Sequence, residues 1–309
     1  MKTLDMQKTA KPYVANSRRN LIRETKTAYI FLLPALLFFV TFVLVPMIRG
    51  VYVSLYDYSL RKFEFVGLGN YIRLFGDEIF LKSLLNTFLL VVGAVPLIIL
   101  LSLFISTAIY QKPASVRSFF RGVFYLPAVS SIVSITVVWG WIYHPLYGIL
   151  NYLLEAAGLI AEPISWLGDA RYSLGAIIAV LLTTSIGQPI VLYVAALGNI
   201  PESYIEAAEI DGASSWQVFT KIKWPSLLPT TLYIIIISTI NSFQCFSLIQ
   251  LLTAGGPNYA TSTIMYLVYE RSFILRQFGY SSAMGVVLGV CIVLISVIQY
   301  KFFGQDVEY

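Results

Sequence analysis

Long apolar runs alternate with short polar passages along the whole chain. Two of these runs, Tyr172–Pro201 and Trp224–Tyr269, contain no charged residue, and about 20 apolar residues are enough for a helix to cross a bilayer. The runs lack the alternation of apolar and polar residues over about 10 positions that marks an outer-membrane strand. The pattern therefore predicts an all-α membrane protein with six transmembrane helices. Their predicted bounds are 27–48, 83–111, 122–143, 172–198, 227–252 and 280–300.

Composition and charge support a membrane protein and predict which side of the membrane each segment faces. The chain of 309 residues is 58% hydrophobic and only 12% charged, whereas soluble domains average about 25% charged residues. Residues 1–26 form a basic tail, residues 27–303 the predicted transmembrane domain, and residues 304–309 a second tail. The positive-inside rule makes the basic tail cytoplasmic, and an even number of spans puts both termini on that side. Lys112–Arg121 then forms a short, basic cytoplasmic loop between the second and third spans.

The longest polar passage in the second half of the chain, residues 199–226, lies between the two charge-free runs. From Glu206 to Pro225 it reads EAAEIDGASSWQVFTKIKWP. Such a segment has to lie outside the hydrocarbon, because buried charges and polar groups there are costly. We therefore predict a cytoplasmic loop between the fourth and fifth spans.

Local signals predict a helix, a glycine turn and a second helix within this loop. Asn199 is a candidate cap for the first helix, which is expected to run through Tyr204. Gly212 suits the left-handed residue that ends such a helix. Ser214 and Gln217 have the spacing of a capping box and predict the start of a second short helix. Both helices are expected to lie at the membrane surface.

Six residues of the loop have a spacing that resembles the EAA loop of permease subunits from ATP-binding cassette (ABC) importers. They are Glu206, Ala207, Ala208, Gly212, Ile222 and Pro225. Trp224 stands where that family usually has Leu, which keeps an apolar side chain there. The resemblance implies the type I importer permease fold and docking of this coupling loop on a separate ATPase subunit. In that role Glu206 would make charge-assisted contacts, Ala207 and Ala208 would permit close approach, and Gly212 would supply the turn.

Further stretches resemble sugar permeases of the maltose-transporter type, and together they extend the resemblance over nearly the whole chain after Lys26. These stretches are Phe65–Tyr71, Phe119–Pro127, Trp139–Asn151, Leu252–Pro257, Phe278–Tyr280 and Ala283. The resemblance implies import of a sugar or oligosaccharide across the bacterial cytoplasmic (inner) membrane. The implied partners are a second homologous permease, two ATPase subunits that carry ATP and Mg, an external solute-binding protein and the lipid bilayer. Nucleic acid has no role in this scheme.

The residues give little support to enzyme chemistry. The chain has no G-x-x-x-x-G-K-S/T phosphate loop, so ATP hydrolysis is expected on a separate subunit and no cofactor is expected on this chain. The single histidine, His144, has no partner at the spacing of a metal site or a catalytic triad. Cys245 and Cys291 fall inside predicted spans and lack metal-ligand spacing.

Polar side chains inside the predicted spans are candidates for a substrate route. Gln188 in the fourth span, and Asn241 and Gln244 in the fifth, carry neutral amides that suit sugar hydroxyls. Phe243 or Tyr193 is a candidate stacking face for the sugar ring. Amides in spans also form hydrogen bonds between helices, and the sequence leaves both roles open.

Two other kinds of transporter stay open on the residues alone: an ABC importer for a non-sugar solute such as glycerol phosphate, and an ion-coupled secondary transporter. An anionic substrate would favour Arg or Lys along the route, and an ion-coupled transporter normally carries an intramembrane charge. The predicted spans contain neither. Their lack of charge argues against both alternatives without excluding an acidic sugar, which helix dipoles could hold.

Overall fold

A computed structural model describes residues 18–303, with the side chains of residues 24–303. The predicted tail at 304–309 and the first 17 residues of the predicted tail at 1–26 lie outside the described residues. The chain divides into two compact units, Met1–Gly50 and Val51–Tyr309. All contacts and cavities discussed below lie within the second unit.

The described residues are mostly helical. The first helices, α1 (Arg18–Phe39) and α2 (Val45–Ser54), are separated by a π-helical turn, Val40–Leu44. Two further π-helical turns span Phe219–Lys223 and Glu270–Ile274. The remaining helices are α3 (Gly69–Phe75), α4 (Glu78–Tyr110), α5 (Ala114–Val129), α6 (Ile132–Ile142), α7 (Ile149–Ala156), α8 (Ser173–Ser185), α9 (Gly187–Gly198), α10 (Glu202–Ile210), α11 (Ser215–Val218), α12 (Trp224–Phe243), α13 (Ser247–Leu252), α14 (Ile264–Tyr269) and α15 (Phe278–Phe303).

A small antiparallel hairpin interrupts the helices, an element that the all-α prediction missed. Its strands are β1 (Tyr56–Tyr58) and β2 (Phe63–Phe65), and they pair Tyr56 with Phe65 and Tyr58 with Phe63. Aromatic residues have a high strand propensity, and here they alternate along both strands. The Tyr56 and Phe63 rings stack with centroids 4.6 Å apart.

Four helical stretches are long and apolar enough to cross a membrane: Glu24–Ser54, Glu78–Tyr110, Ser215–Phe243 and Phe278–Phe303. Two helix pairs pass the same test together, α5 with α6, bent by 98°, and α8 with α9, bent by 44°. The first bend lies at the adjacent residues Ser130 and Ser131, and the second lies at Ile186, between α8 and α9. Three residues later, Pro189 has no backbone N–H to donate to the Ser185 carbonyl, which weakens the helix at this bend. The described chain therefore has four to six candidate spans.

The helix that contains the start of the third predicted span begins before that span does. Helix α5 starts at Ala114, so the predicted loop Lys112–Arg121 shrinks to residues 111–113 and Arg121 lies two turns inside a helix. The polar residues of this stretch suggested a loop, because hydropathy indicates which residues lie in the bilayer and does not indicate where a helix begins. The fifth predicted span also differs, since it breaks after Phe243 and resumes as the separate helix α13.

Helix α4 lies at the centre of the second unit and packs against α8, α9, α12 and α14. Its buried residues recur every three or four positions, as one helix face requires. Hydrocarbon provides no hydrophobic force between helices, so close packing and hydrogen bonds hold them together. Ser102 and Ser106 are fully buried small residues on this face, and the Ser106 hydroxyl donates to the Ile190 carbonyl of α9 at 3.2 Å.

Asp77 anchors the start of α4. Its Oδ1 accepts hydrogen bonds from the backbone N–H groups of Ile79 and Phe80, at 2.9 and 3.3 Å. The Tyr280 hydroxyl of α15 donates to Asp77 Oδ2 at 2.7 Å, and an Arg271 guanidinium nitrogen lies 3.9 Å from the same oxygen. Burial acts to raise the pKa of Asp77, but the hydrogen bonds and the Arg271 charge together bring this pKa below its ordinary value.

Asn70 and Gly279 fix the hairpin to the helices near Asp77. The Asn70 side-chain amide donates to the carbonyls of Ser54 and Tyr56, both at 2.8 Å. A Cβ on Gly279 would overlap the Tyr56 carbonyl oxygen and would lie 2.8 Å from the Tyr58 nitrogen. Only glycine permits this approach of α15 to strand β1.

Two more buried amides clamp loops in the same manner. Asn86 donates to the carbonyls of Tyr259 and Ser262, at 2.9 and 3.0 Å. Asn151 donates to the Ile164 carbonyl at 2.9 Å and accepts from the Trp166 indole N–H at 2.8 Å. Asn70, Asn151, Gly279 and Tyr280 all belong to stretches that carried the sugar-permease resemblance, and within this chain they hold the fold together.

Candidate functional site

The first helix of the coupling loop begins later than the cap prediction implied. Pro201 occupies the N-cap position of α10, with an extended backbone (φ −58°, ψ 126°). Asn199 has helical dihedrals and forms the C-cap of α9, so its side chain does not cap α10 and that prediction is wrong. Proline suits this place, because the first N–H groups of a helix have no intrahelical partner.

The predicted glycine turn is confirmed. Gly212 has a φ of +79°, in the left-handed region that costs other residues about 1–2 kcal/mol. Its N–H donates to the Glu209 carbonyl at 3.0 Å, and the Ala213 N–H donates to the Ala208 carbonyl at 2.9 Å. These two bonds form a Schellman motif, which satisfies the last carbonyls of α10.

The predicted capping box is also confirmed. The Ser214 N–H donates to Gln217 Oε1 at 2.7 Å, and the Gln217 N–H donates to Ser214 Oγ at 3.3 Å. The helix that starts here is not a separate surface helix, because α11, the π-helical turn and α12 form one helical path of 29 residues to Phe243. In the π-helical turn, the Trp224 N–H donates to the carbonyl of Phe219, five residues earlier.

The motif residues of the loop divide between an exposed surface and an anchored base. Glu206 and Ala207 are exposed, beside large apolar side chains that the described chain leaves uncovered. Those side chains are Tyr204, Ile210 and Trp216, with exposed fractions of 63%, 85% and 71%. Ile222 packs against the buried cluster around Tyr193 and Leu227, while Pro225 is exposed on the helix. Apolar side chains exposed together are typical of a surface that a partner covers.

A cavity of about 390 Å³ separates the loop from the Tyr110 end of α4. Its walls include Tyr110 and Leu197 on the core side and Glu209, Phe219 and Lys223 on the loop side. The loop therefore rests on the core with space beneath it. A segment with few buried contacts is free to shift at low cost.

A second cavity, of about 200 Å³, has both polar and apolar side chains in its walls, and we call it the amide cavity. Thr184, Ser185 and Gln188 line it from α8 and α9, and Ser238 and Asn241 line it from α12. Gln188 and Asn241 are exposed, and neither side chain has a hydrogen-bond partner within residues 24–303. The structure thus brings these two predicted residues to the wall of one cavity.

The other three residues of the predicted route lie elsewhere. Gln244 is exposed but does not line the amide cavity. Tyr193 is fully buried and donates to the Thr231 hydroxyl at 3.1 Å. Phe243 is also fully buried, edge-to-face with Phe88 at 5.6 Å. Neither ring presents a face to a cavity in this conformation.

Sequence reasoning missed the cavity next to the amide cavity, which we call the arginine cavity. It measures about 380 Å³ and is lined by Ser118, Arg121 and Tyr125 of α5 and by Gln188, Val191 and Leu192 of α9. Arg121 belongs to the Phe119–Pro127 stretch that carries the resemblance, but hydropathy predicts that it lies on the Lys112–Arg121 loop.

Groups that could support catalysis or metal binding are sparse in the described chain. His144 stacks on the Tyr147 ring, and its Nδ1 accepts the Leu146 N–H at 3.2 Å. Within residues 24–303, no cluster of three or more His, Cys, Asp or Glu side chains is placed to hold a metal ion. Cys245 and Cys291 are free thiols.

Comparison with known proteins agrees with these features. Residues 66–309 match the family described as binding-protein-dependent transport system inner membrane component. The probable ABC transporter permease protein YurN of Bacillus subtilis (strain 168) is 34% identical over 283 residues, which cover 91% of this chain and 97% of that protein. The lactose transport system permease protein LacF of Rhizobium radiobacter is 32% identical over 275 residues, covering 88% and 92% of the two chains.

A solved structure shares the fold. It is a bacterial ABC transporter involved in the import of the acidic polysaccharide alginate, and its matching chain superposes with a TM-score of 0.81 at 21% identity. The match covers 94% of this chain and 99% of that one. The chain therefore belongs to the family of inner membrane components of binding-protein-dependent transport systems, a family of transport subunits.

Proposed function

We propose that this chain is one permease subunit of an ATP-driven ABC importer that carries a sugar or oligosaccharide across the bacterial inner membrane. The observation that carries the proposal is the helical path from the exposed coupling loop to the amide cavity. Ser214 caps that helix at the loop, and Asn241 near its other end lines the cavity. A force applied to the loop therefore reaches the cavity wall through one helix. The lactose permease among the relatives supports a sugar as substrate.

The proposed topology has six spans and cytoplasmic termini. The four long helices and the two bent helix pairs supply the six spans. The basic residues before Thr27 support a cytoplasmic N-terminus by the positive-inside rule. Residues 199–226 then face the cytoplasm, on the side where an ATPase can reach them.

The proposed partners follow from the family and from the loop surface. A second homologous permease completes the pore, two ATPase subunits bind ATP and Mg, and an external solute-binding protein delivers the sugar. Glu206 makes charge-assisted contacts with the ATPase, and Ala207 lets its surface approach closely. Gly212 and the Ala208 carbonyl hold the turn, while Ile222 and Pro225 connect it to α12.

In the proposed cycle, ATP binding draws the ATPase subunits together and pulls the coupling loop with them. The motion tilts or turns α12 against α9 and changes access to the amide cavity. The ATPase thus biases an element with two states, which is the physical meaning of coupling. Gln188 and Asn241 hydrogen-bond sugar hydroxyls, since an unpaired buried hydroxyl is costly. Gln244, three residues after Asn241, extends the route, and Tyr193 and Phe243 would offer a stacking face only if the other state exposes them.

The test is charge reversal and turn disruption in the assembled importer. We expect Glu206→Lys and Gly212→Val to reach the membrane at normal levels and to lower uptake of labelled oligosaccharides by at least about fivefold, the scale of an ordinary coupling energy. Glu162→Lys reverses an exposed carboxylate that precedes α8, with α8 and α9 between it and the loop along the chain, and is expected to leave uptake unchanged. Full uptake by both loop variants would overturn the docking role.

A further inference from the structure

The amide cavity and the arginine cavity lie side by side. Gln188 and Leu192 line both of them, so one side of α9 borders both cavities. The combined walls come from three segments, 118–128, 184–192 and 233–241. The proposed route therefore extends beyond the neutral amides as far as Arg121.

Arg121 is the only charged residue on these walls. The three wall segments contain no Asp or Glu, and the chain has no acidic residue between Glu78 and Glu155. A guanidinium nitrogen of Arg121 donates to Ser118 Oγ at 3.3 Å. No carboxylate lies within 4 Å of the guanidinium in the part of the chain whose side chains are described. This half-buried positive charge therefore has no ion-pair partner among the side chains of residues 24–303.

A guanidinium without an ion-pair partner selects for a particular kind of solute. Its planar fork of N–H donors matches the two oxygens of a carboxylate or a phosphate, and it keeps its charge at any physiological pH. Gln188, next along the wall, offers a neutral amide to hydroxyls. The two groups together suit a carbohydrate with one anionic substituent.

We propose that the route takes a carbohydrate that carries a carboxylate or a phosphate group, with Arg121 holding the anion and Gln188 holding a hydroxyl. The inference rests on the proposed function, because it names the substrate class of the same route. It also reverses an expectation from the sequence, where uncharged spans argued against an anionic solute. That expectation placed Arg121 on a loop, whereas α5 brings it to the cavity wall.

The first test measures the charge of the site without reference to any substrate. Gln188→Cys in the assembled importer is labelled with an anionic and a cationic methanethiosulfonate, and the parent importer with native Cys245 and Cys291 reports the background. We expect the anionic-to-cationic rate ratio to fall at least about threefold when Arg121→Gln is added, because a nearby positive charge attracts the anionic reagent and repels the cationic one. Arg121→Lys should keep the ratio, and Lys112→Gln, a charge removed from the exposed linker, should not change it. An unchanged ratio in Arg121→Gln would overturn the proposal.

The second test identifies the solute class. Glucose, glucuronate and glucose 6-phosphate are titrated as protectants of Leu192→Cys, a reporter on the wall of both cavities that keeps Gln188, against an uncharged thiol reagent. We expect either or both anionic sugars to protect at concentrations about tenfold lower than glucose, a difference of about 1.4 kcal/mol, and to lose that advantage in Arg121→Gln. A preference for the carboxylate or for the phosphate names the group, and equal protection by all three sugars would overturn the inference.

The outcomes of these tests are separable from those of the uptake test. Equal protection by the three sugars, in an importer whose uptake fails in Glu206→Lys, removes the anionic substrate and leaves the permease function standing. The opposite result is an anion preference that depends on Arg121 in a complex whose uptake is unchanged by both loop variants. It would support the anion site and contradict the proposed coupling.

Discussion

At the Asp77 end of α4, side chains from four segments bond to one another and to backbone carbonyls, whereas at the Tyr110 end a cavity of about 390 Å³ lies between the helix and the coupling loop. We call the first region the clamped end. Its amides are buried and paired, while the loop leaves Tyr204, Ile210 and Trp216 in the open. The difference indicates that the clamped end is the rigid part of this unit, which we call the frame, and that the coupling loop is the moving part.

The comparison predicts two kinds of variant. A change at the clamped end should lower the free energy of unfolding, because it removes contacts that exist within this chain. A change on the loop should leave that free energy nearly unchanged and lower transport, because the contacts it removes are with a partner.

Gly279→Ala is expected to have the largest effect on stability. Its Cβ would overlap the Tyr56 carbonyl oxygen, so α15 or strand β1 has to move, and overpacking of this kind costs about 1–3 kcal/mol. The measurement is thermal unfolding of the purified protein in detergent. Gly285→Ala, in the same helix with no atom within 4 Å of the added Cβ, is the matched control. Equal melting temperatures for the two variants would show that the close approach at Gly279 does not stabilise the clamped end.

Asn86→Leu should come next. The change leaves the Tyr259 and Ser262 carbonyls without their donor, and an unpaired buried polar group costs about 1–3 kcal/mol. Asn199→Leu alters an exposed amide at the first residue of the coupling loop and should stay within about 0.5 kcal/mol. Thermal unfolding of both variants checks the pair. A larger loss in Asn199→Leu would contradict the assignment of frame and moving part.

Ser214→Ala should act on the loop alone. Loss of an N-cap costs the local helix about 1 kcal/mol, so hydrogen exchange at residues 215–218 should become faster while the global melting temperature stays the same. Uptake should fall with the local loss of order. Ser203→Ala, at an exposed serine of α10, provides the control. Unchanged exchange in Ser214→Ala would show that the cap does not hold the start of this helix.

The smallest effect is a pH dependence at the clamped end. The pKa of Asp77 lies below its ordinary value in the folded protein, so its ionised form stabilises the fold above the unfolded pKa of about 3.9. This contribution is lost as the pH falls through the folded pKa. The melting temperature of the wild type should therefore exceed that of Asp77→Asn at pH 7, and the gap should narrow below about pH 4. A gap that stays constant down to pH 3 would exclude this linkage.

The sequence predicts the loop better than the route, and the reason is physical. The signals at Gly212, Ser214 and Gln217 are local, because each depends on backbone groups a few residues away. They need no knowledge of the tertiary fold, and the structure confirms the glycine turn and the capping box. Asn199 failed as a cap because its backbone continued the preceding helix, a choice that its side chain does not determine.

The route depends on which helix faces meet, and hydropathy carries little of that information. Gln188 and Asn241 do share a cavity, but Tyr193 and Phe243, in the same helices, point into the packed core. Arg121 was predicted to lie in water because it is charged, although a helix can begin before its apolar part does. The Gly279 and Asn70 positions were recognised by resemblance alone, since their carbonyl partners are distant in sequence.

The π-helical turn at Phe219–Lys223 connects the coupling loop to α12, so the number of residues in this turn affects the orientation of the loop. Each residue of a helix advances the chain by about 100° around the axis. Deleting or inserting one residue here would rotate the loop with Glu206 by about 100° around the axis of α12, while Asn241 stayed in the cavity wall. The number of residues in this segment therefore sets the orientation of the loop relative to its partner, whatever the identity of the side chains in the segment.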